Sequence, residues 1–176
     1  MNIRALLKTV TEHNASDLHL SIGLPPMLRL RGALEPIGEK VLYSLHETLF
    51  LVEKEKMEVF YTGKKLSSKE LMKKASNSDK RIHIKYPVFR DLRNKGYIVK
   101  TALKFGADFR VYEKGSKPGD KHAKWIVFTD HESKRLTWHE FSAKNRVAHS
   151  TKKHLLLAIL DDEGDVSYYE VRWIKP

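Results

Sequence analysis

The sequence predicts an α/β (α+β) chain in two parts, a small mixed α/β N-terminal domain over residues 1–80 and a C-terminal mixed-sheet domain over residues 81–176. Three observations predict it. Apolar residues at helical spacing dominate the first half, and strand-like runs dominate after Gly96. The polar run Asn77-Ser-Asp-Lys80 reads as a linker between the two. A chain of 176 residues is also long enough to bury a sizeable core.

Taken in order, Asn2–His13 reads as a helix with Ile3, Leu6, Leu7 and Val10 on one side. Ser16–Ile22 and Met27–Arg31 alternate as strands around the break Gly23-Leu-Pro-Pro26. Ser44 and Glu47 have capping-box spacing and open a helix expected over Leu45–Val59. Thr62-Gly63 is a turn, and Ser67 with Glu70 opens a second helix to about Ser76. A third helix spans about Arg81–Lys95, with Pro87 marking a kink or a later start and Gly96 as its C-terminal stop. Strands are then expected over Tyr97–Leu103, Asp108–Glu113, Trp125–Phe128 and Arg135–Trp138, with a Gly- and Pro-containing loop over Gly115–Lys121. A helix over about His139–Lys153, a strand Leu155–Leu160, an acidic turn Asp161–Asp165 and a last strand Val166–Ile174 close the chain.

Composition narrows the partners. Hydrophobic residues make up 41% and charged residues 31%, which fits a globular chain rather than a disordered one. No apolar run approaches the roughly 20 residues that span a bilayer, and no basic-then-apolar leader opens the chain. The expected setting is cytoplasmic, with no membrane partner. Cysteine is absent, which excludes disulfides and thiolate metal sites. The net charge of +11 points to a polyanion, because Lys and Arg that neutralise phosphates release condensed counterions.

The cations are patterned. On a helix through residues 140–153, Arg146, His149, Ser150 and Lys153 share one face. They also occupy its last turns, where the helix dipole favours positive charge whatever the function. Two further stretches carry chemistry. Lys104-Phe-Gly-Ala-Asp-Phe-Arg-Val-Tyr112 is a strand ending in a tyrosine, and Lys117-Pro-Gly-Asp-Lys-His122 is a loop ending in a histidine. A phenol, an imidazole and an ammonium thus stand at element ends of one domain.

The first of these stretches, Lys104–Tyr112, with Asp91-Leu-Arg-Asn-Lys-Gly-Tyr-Ile-Val-Lys-Thr101, Arg146-Val-Ala-His-Ser-Thr-Lys-Lys153 and Tyr168-Tyr-Glu-Val-Arg-Trp-Ile-Lys-Pro176, resembles the archaeal tRNA-splicing endonuclease family over residues 41–176. The resemblance implies a restriction-endonuclease-like C-terminal nuclease domain. It also implies cleavage of precursor tRNA at bulge–helix–bulge intron junctions, with no metal or other cofactor. The ribose 2′-hydroxyl attacks its own phosphate and leaves 2′,3′-cyclic phosphate and 5′-hydroxyl ends. Carried over by motif, Tyr112 is the base, His122 the acid and Lys153 the cation that steadies the phosphorane. Arg146 matches an arginine that sandwiches a flipped base, and Arg172 is a second candidate RNA contact. The implied partners are intron-containing precursor tRNA and further endonuclease subunits, in a homotetramer or a heterotetramer with a structural subunit. That assembly uses end-strand pairing, to which Val171, Trp173 and Ile174 are suited, and an inserted acidic loop. The loop Gly115–Lys121 holds one acid, Asp120, against Lys117 and Lys121, which points to a different subunit supplying the acidic loop.

Residues 1–40 depart from this family. Residues 15–37 resemble instead the N-terminal module of pilus-retraction and secretion ATPases, although no phosphate-binding G-x-x-x-x-G-K-[ST] loop follows. Two rival functions stand beside the endonuclease. Asp108 with Glu132-Ser-Lys134 imitates the D…E-x-K site of a metal-dependent nuclease, and a non-catalytic RNA-binding subunit is the second rival. His13, Asp17 and His19 read as scattered histidines and an acid rather than a metal site.

Overall fold

The computed structural model describes residues 10–12, 14–19, 27–36, 43–116, 118, 119 and 121–174. The chain divides into two compact units, residues 1–65 and 66–176, where the sequence placed the divide after residue 80. The expected linker is instead tied into the second unit. Asn77 and Ser78 lie in a helix, and Asp79 accepts the Arg81 N–H at 2.9 Å and the Lys85 ammonium at 2.8 Å. Among the described residues no helix is long and apolar enough to cross a membrane.

In the first unit, residues 10–12 are helical, and the rest of the expected Asn2–His13 helix lies outside the described residues. Strands β1 (Asp17–His19), β2 (Met27–Leu30) and β3 (Ala33–Pro36) form an antiparallel sheet in chain order. Arg31 and Gly32 turn β2 into β3 with φ of 49° and 85°, the two positive values that a tight twisted hairpin requires. Thr62 and Gly63 repeat that device, at 48° and 79°, between β4 (Phe60–Tyr61) and β5 (Lys64–Lys65). Helix α1 spans Leu45–Glu53 behind a complete Ser44–Glu47 capping box. It stops short of the expected Val59, because Glu55 adopts φ 55° and the chain leaves the helical region there.

The second unit is built on a five-stranded sheet in the order β10-β9-β8-β7-β6. Its strands are β6 (Ile98–Thr101), β7 (Phe109–Tyr112), β8 (Trp125–His131), β9 (His154–Leu160) and β10 (Val166–Val171). All neighbours pair antiparallel except β8 and β9, which are parallel. A parallel pair needs a crossover, and α4 (Trp138–Ser150) supplies it. Helices α2 (Ser68–Ser78) and α3 (Ile82–Asn94) precede the sheet. α3 runs through Pro87 without breaking. It buries Ile82, Val88, Phe89 and Leu92, and the Phe89 ring meets Phe109 of β7 at 5.6 Å. On the opposite face, Ala148 of α4 packs with Ile126, Phe128 and Leu155, flanked by Phe105, Phe141 and Val147.

The strand expected over Arg135–Trp138 does not form. Thr137 caps α4, with its hydroxyl accepting the Glu140 N–H and the Glu140 carboxylate returning to the Thr137 N–H, so Trp138 begins the helix. That Thr-x-x-Glu spacing, Thr137 to Glu140, is a capping-box signal in the sequence itself. The expected strand Tyr97–Leu103 likewise ends at Thr101, and Leu103–Phe105 form a short 3-10 turn.

Candidate active site

Strand register brings the sequence-predicted chemical residues to one end of the sheet. Val111 of β7 pairs with Trp125 of β8, and the Lys124 N–H donates to the Val111 carbonyl at 2.9 Å. Tyr112 is therefore the next residue beside Lys124. On the other flank, Trp125 pairs in parallel with His154, whose N–H donates to the Lys124 carbonyl at 2.9 Å, so Lys153 is also level with Lys124. One strand spacing is about 5 Å, which sets the Tyr112 and Lys153 backbones about 10 Å apart. His122 lies on the loop that enters β8, two residues before Lys124. Strand alternation puts Tyr112 on the α4 face, because Arg110 of the same strand pairs with the core residue Ile126. Tyr112 is 5% exposed and His122 is exposed, so a buried phenol and a solvent-facing imidazole share this end.

The expected helical stripe through Lys153 is corrected. α4 ends at Ser150, so Arg146 and His149 lie on it and Lys153 does not. Lys152 takes φ 54°, its N–H donates to the His149 carbonyl at 2.9 Å, and the Lys153 N–H donates to the Ala148 carbonyl at 2.9 Å. These are the two bonds of a Schellman stop, with a lysine in the left-handed position that glycine usually fills. Gly96 ends α3 with the same pair of bonds, to Arg93 and Leu92. After the Lys152 turn, the Lys153 ammonium donates to the Thr151 carbonyl at 2.8 Å and lies 5.7 Å from the centre of the Phe105 ring. The turn, rather than a helix face, aims this cation.

Lys153 also lines a hollow of about 370 Å3 with Asn145, Lys152, Arg172 and Trp173 among its walls. A second hollow of about 290 Å3 adjoins it on α4, lined by Ser142, Asn145, Arg146, His149 and Trp173. Asn145, His149 and Trp173 are common to both, and the His149 and Trp173 rings lie with centroids 4.7 Å apart. Arg146 and Arg172 thus reach two hollows that share residues. Arg172 is held from behind: its Nε–H donates to Glu170 Oε1 at 2.8 Å, and His154 Nδ1 lies 2.6 Å from the same oxygen. The Arg172 bond, helped by His154, keeps the Glu170 carboxyl ionised down to about 2.

A family model described as the tRNA intron endonuclease catalytic C-terminal domain matches residues 82–168. The tRNA-splicing endonuclease of Pyrococcus horikoshii is 43% identical over 145 residues, which cover 82% of this chain and 83% of that protein. That of Nanoarchaeum equitans is 44% identical over 75% of this chain and 88% of its own length. That of Methanothermobacter thermautotrophicus is 41% identical over 78% and 80%. The chain belongs to the tRNA-splicing endonuclease family. The second unit contains the whole stretch matched by the family's catalytic-domain model.

Seen as a member of this family, the chain spends its best-placed acids on structure. Asp108 accepts the Thr129 N–H and hydroxyl at 2.8 and 2.9 Å, and lies 3.5 and 3.4 Å from the Arg81 and Lys85 nitrogens. Glu132 accepts the Asp162 N–H across a turn. The two acids of the D…E-x-K rival therefore have separate employments, and among the described residues no three His, Asp or Glu side chains gather. His13 of the N-terminal trio lies outside the described residues, as do Lys117 and Asp120 of the histidine loop. Glu170 and His154 are the site neighbours that sequence reading missed. The period-2 alternation of the two strands puts them on one face, and the Leu156–Glu170 pairing brings them together, but neither shows without the register.

Proposed function

We propose that this chain is a tRNA-splicing endonuclease that cuts intron-containing precursor tRNA at bulge–helix–bulge junctions. The observation that carries the reading is the common end of β7, β8 and β9, where Tyr112, the His122 loop and Lys153 are gathered around the Lys124 backbone. Transesterification within RNA needs a proton acceptor for the 2′-hydroxyl, a donor for the departing 5′-oxygen and a cation for the charged phosphorane. In this reading the phenolate oxygen of Tyr112 takes the 2′ proton and becomes the phenol, and the freed 2′-oxygen forms a bond to phosphorus. His122 gives a proton to the 5′-oxygen as its bond to phosphorus breaks. Lys153 holds the equatorial oxygens. The products are a 2′,3′-cyclic phosphate and a 5′-hydroxyl, and the nucleophile comes from the substrate itself.

The charge distribution supports RNA as the partner of the second unit. Residues 66–176 hold 24 of the 33 Lys and Arg but only 14 of the 22 Asp and Glu. Arg146, exposed on α4 beside the His149–Trp173 wall, is assigned to an unpaired base, and Arg172 to the RNA strand in the adjoining hollow. The proposed assembly is tetrameric. Trp173 and Ile174 are 56% and 81% exposed beyond β10, an apolar end suited to pairing with another subunit. The acid-rich element is the turn Asp161-Asp-Glu-Gly-Asp165 between β9 and β10, rather than the 115–121 loop. A single type of subunit therefore carries both an apolar end and an acidic loop, which favours a homotetramer. The test is cleavage of a bulge–helix–bulge RNA by the purified chain alone. Cuts at both bulges support the reading, whereas binding without cutting under any condition points to a non-catalytic subunit.

A further inference from the structure

We infer that Glu170 is a positioning residue for RNA binding: it holds Arg172 and His154 as one wall of the hollow beside Lys153, and that hollow takes a backbone phosphate of the substrate. The inference rests on the endonuclease reading and goes beyond it, because it gives a role to an acid that adjoins a site built for a polyanion.

The hollow is cationic. Lys152, Lys153 and Arg172 line it, together with His149 and His154, and among the described residues no carboxylate lines it. Glu170 stands next to it in sequence and register but is not among its lining residues, with one oxygen shared by Arg172 Nε and His154 Nδ1 at 2.8 and 2.6 Å. An ionised carboxylate only accepts, so the His154 ring must present its Nδ1 proton to Glu170 and turn its other edge outward. The same bond occupies only the Nε–H of Arg172. Four N–H groups on its terminal nitrogens stay available, in the fork geometry that suits a phosphate.

Register explains why the three meet. Val171 pairs with Leu155 and Glu170 with Leu156, so Arg172 comes level with His154 across the β9–β10 ladder, and all three side chains share a sheet face. An arginine beyond the last strand residue and 65% exposed would otherwise sample many rotamers. Binding would then have to freeze them, and an anchoring carboxylate lowers that cost.

The experiment uses the full chain and a bulge–helix–bulge RNA made uncleavable by 2′-deoxy substitution at both scissile positions. Dissociation constants are measured across a salt series for wild type, Glu170→Ala, Glu170→Gln and Arg172→Ala. Simple electrostatics predicts tighter binding when a negative charge is removed from a +11 protein. The positioning role predicts the opposite sign. Glu170→Ala is expected to weaken binding about tenfold and to flatten the salt slope by about one phosphate contact, as loss of a phosphate contact does. Glu170→Gln keeps an acceptor oxygen for the Arg172 Nε–H and is expected to recover most of the affinity. Adding Glu170→Ala to Arg172→Ala is expected to cost little more, because the two act as one unit. On cleavable RNA, the half-saturating concentration rises while the single-turnover rate at saturation holds. If Glu170→Ala and Glu170→Gln, both shown folded by circular dichroism, bind as tightly as wild type or tighter, the positioning role is overturned while the endonuclease reading stands. If wild type itself fails to hold the bulged RNA, the endonuclease reading falls and takes this inference with it.

Discussion

Replacing Lys152 by glycine tests the account of how Lys153 is aimed. Lys152 sits at φ 54° in the left-handed position of a helix stop whose two hydrogen bonds, at 2.9 Å each, involve backbone atoms only. A side chain with a Cβ spends roughly 1–2 kcal/mol to adopt that conformation. Glycine removes this strain but gives the unfolded chain more freedom, an opposing effect of about 0.4–1 kcal/mol. The net expectation is a gain of about 0.5–1 kcal/mol, or a melting temperature raised by about 1–4 °C for a chain of this size. The Lys153 backbone keeps its place, so the single-turnover cleavage rate at saturating RNA should be unchanged. Affinity should fall modestly, because one cation leaves the hollow. Lys152→Val should do the reverse, since a β-branched residue tolerates this conformation poorly. It should lower the melting temperature and, by displacing Lys153, lower the cleavage rate. The assays are a thermal melt and a single-turnover time course. A lower melting temperature for Lys152→Gly, or a wild-type cleavage rate for Lys152→Val with its melting temperature reduced, would refute the reasoning.

Three further outcomes are expected. Tyr168→Phe deletes the hydroxyl that donates to Asp91 at 2.7 Å and should cost about 1 kcal/mol in urea denaturation at neutral pH. Burial, and then the Asp91 bond, push the Tyr168 hydroxyl well above the usual tyrosine range. Its contribution is therefore fully present below the unfolded value near 10 and is lost as pH rises beyond it, so the variant should show a flatter alkaline limb. Asp108→Asn uncouples Arg81 and Lys85 from an acid 8% exposed; it should cost about 2 kcal/mol, less than a fully buried pair because Arg81 is itself 44% exposed. Lys153→Met should lower the single-turnover rate by about 10²–10³ while leaving RNA affinity within a few-fold of wild type, the pattern of a group acting on transition-state charge.

Local signals were legible where they were self-contained. The Ser44–Glu47 and Ser67–Glu70 capping boxes, the Thr62-Gly63 turn and the Gly96 stop all follow from short spacings whose physics is complete within a few residues. The apolar run Leu155–Leu160 also needed no context, because a strand covered on both faces is apolar throughout. Reading failed where a residue takes a conformation its type disfavours. Nothing about a lysine announces φ 54°, so the end of α4 at Ser150 and the departure of Lys153 from the helix stayed hidden. It failed again where pairing decides. Tyr112, His122 and Lys153 were visible as three chemical groups, but their common sheet end depends on a parallel β8–β9 register that no local pattern specifies. Glu170 was invisible for the same reason, as its meaning lies in a cross-strand meeting with His154.

The central claim, that this chain cleaves RNA through its own Tyr112, His122 and Lys153, is tested most directly by one reaction. The purified chain is incubated with an end-labelled bulge–helix–bulge RNA in excess EDTA, and the product ends are analysed. The account predicts cuts at both bulges, with 2′,3′-cyclic phosphate and 5′-hydroxyl ends, and no cuts by His122→Ala. Cutting that appears only when Mg2+ is restored and leaves 5′-phosphate ends would contradict it.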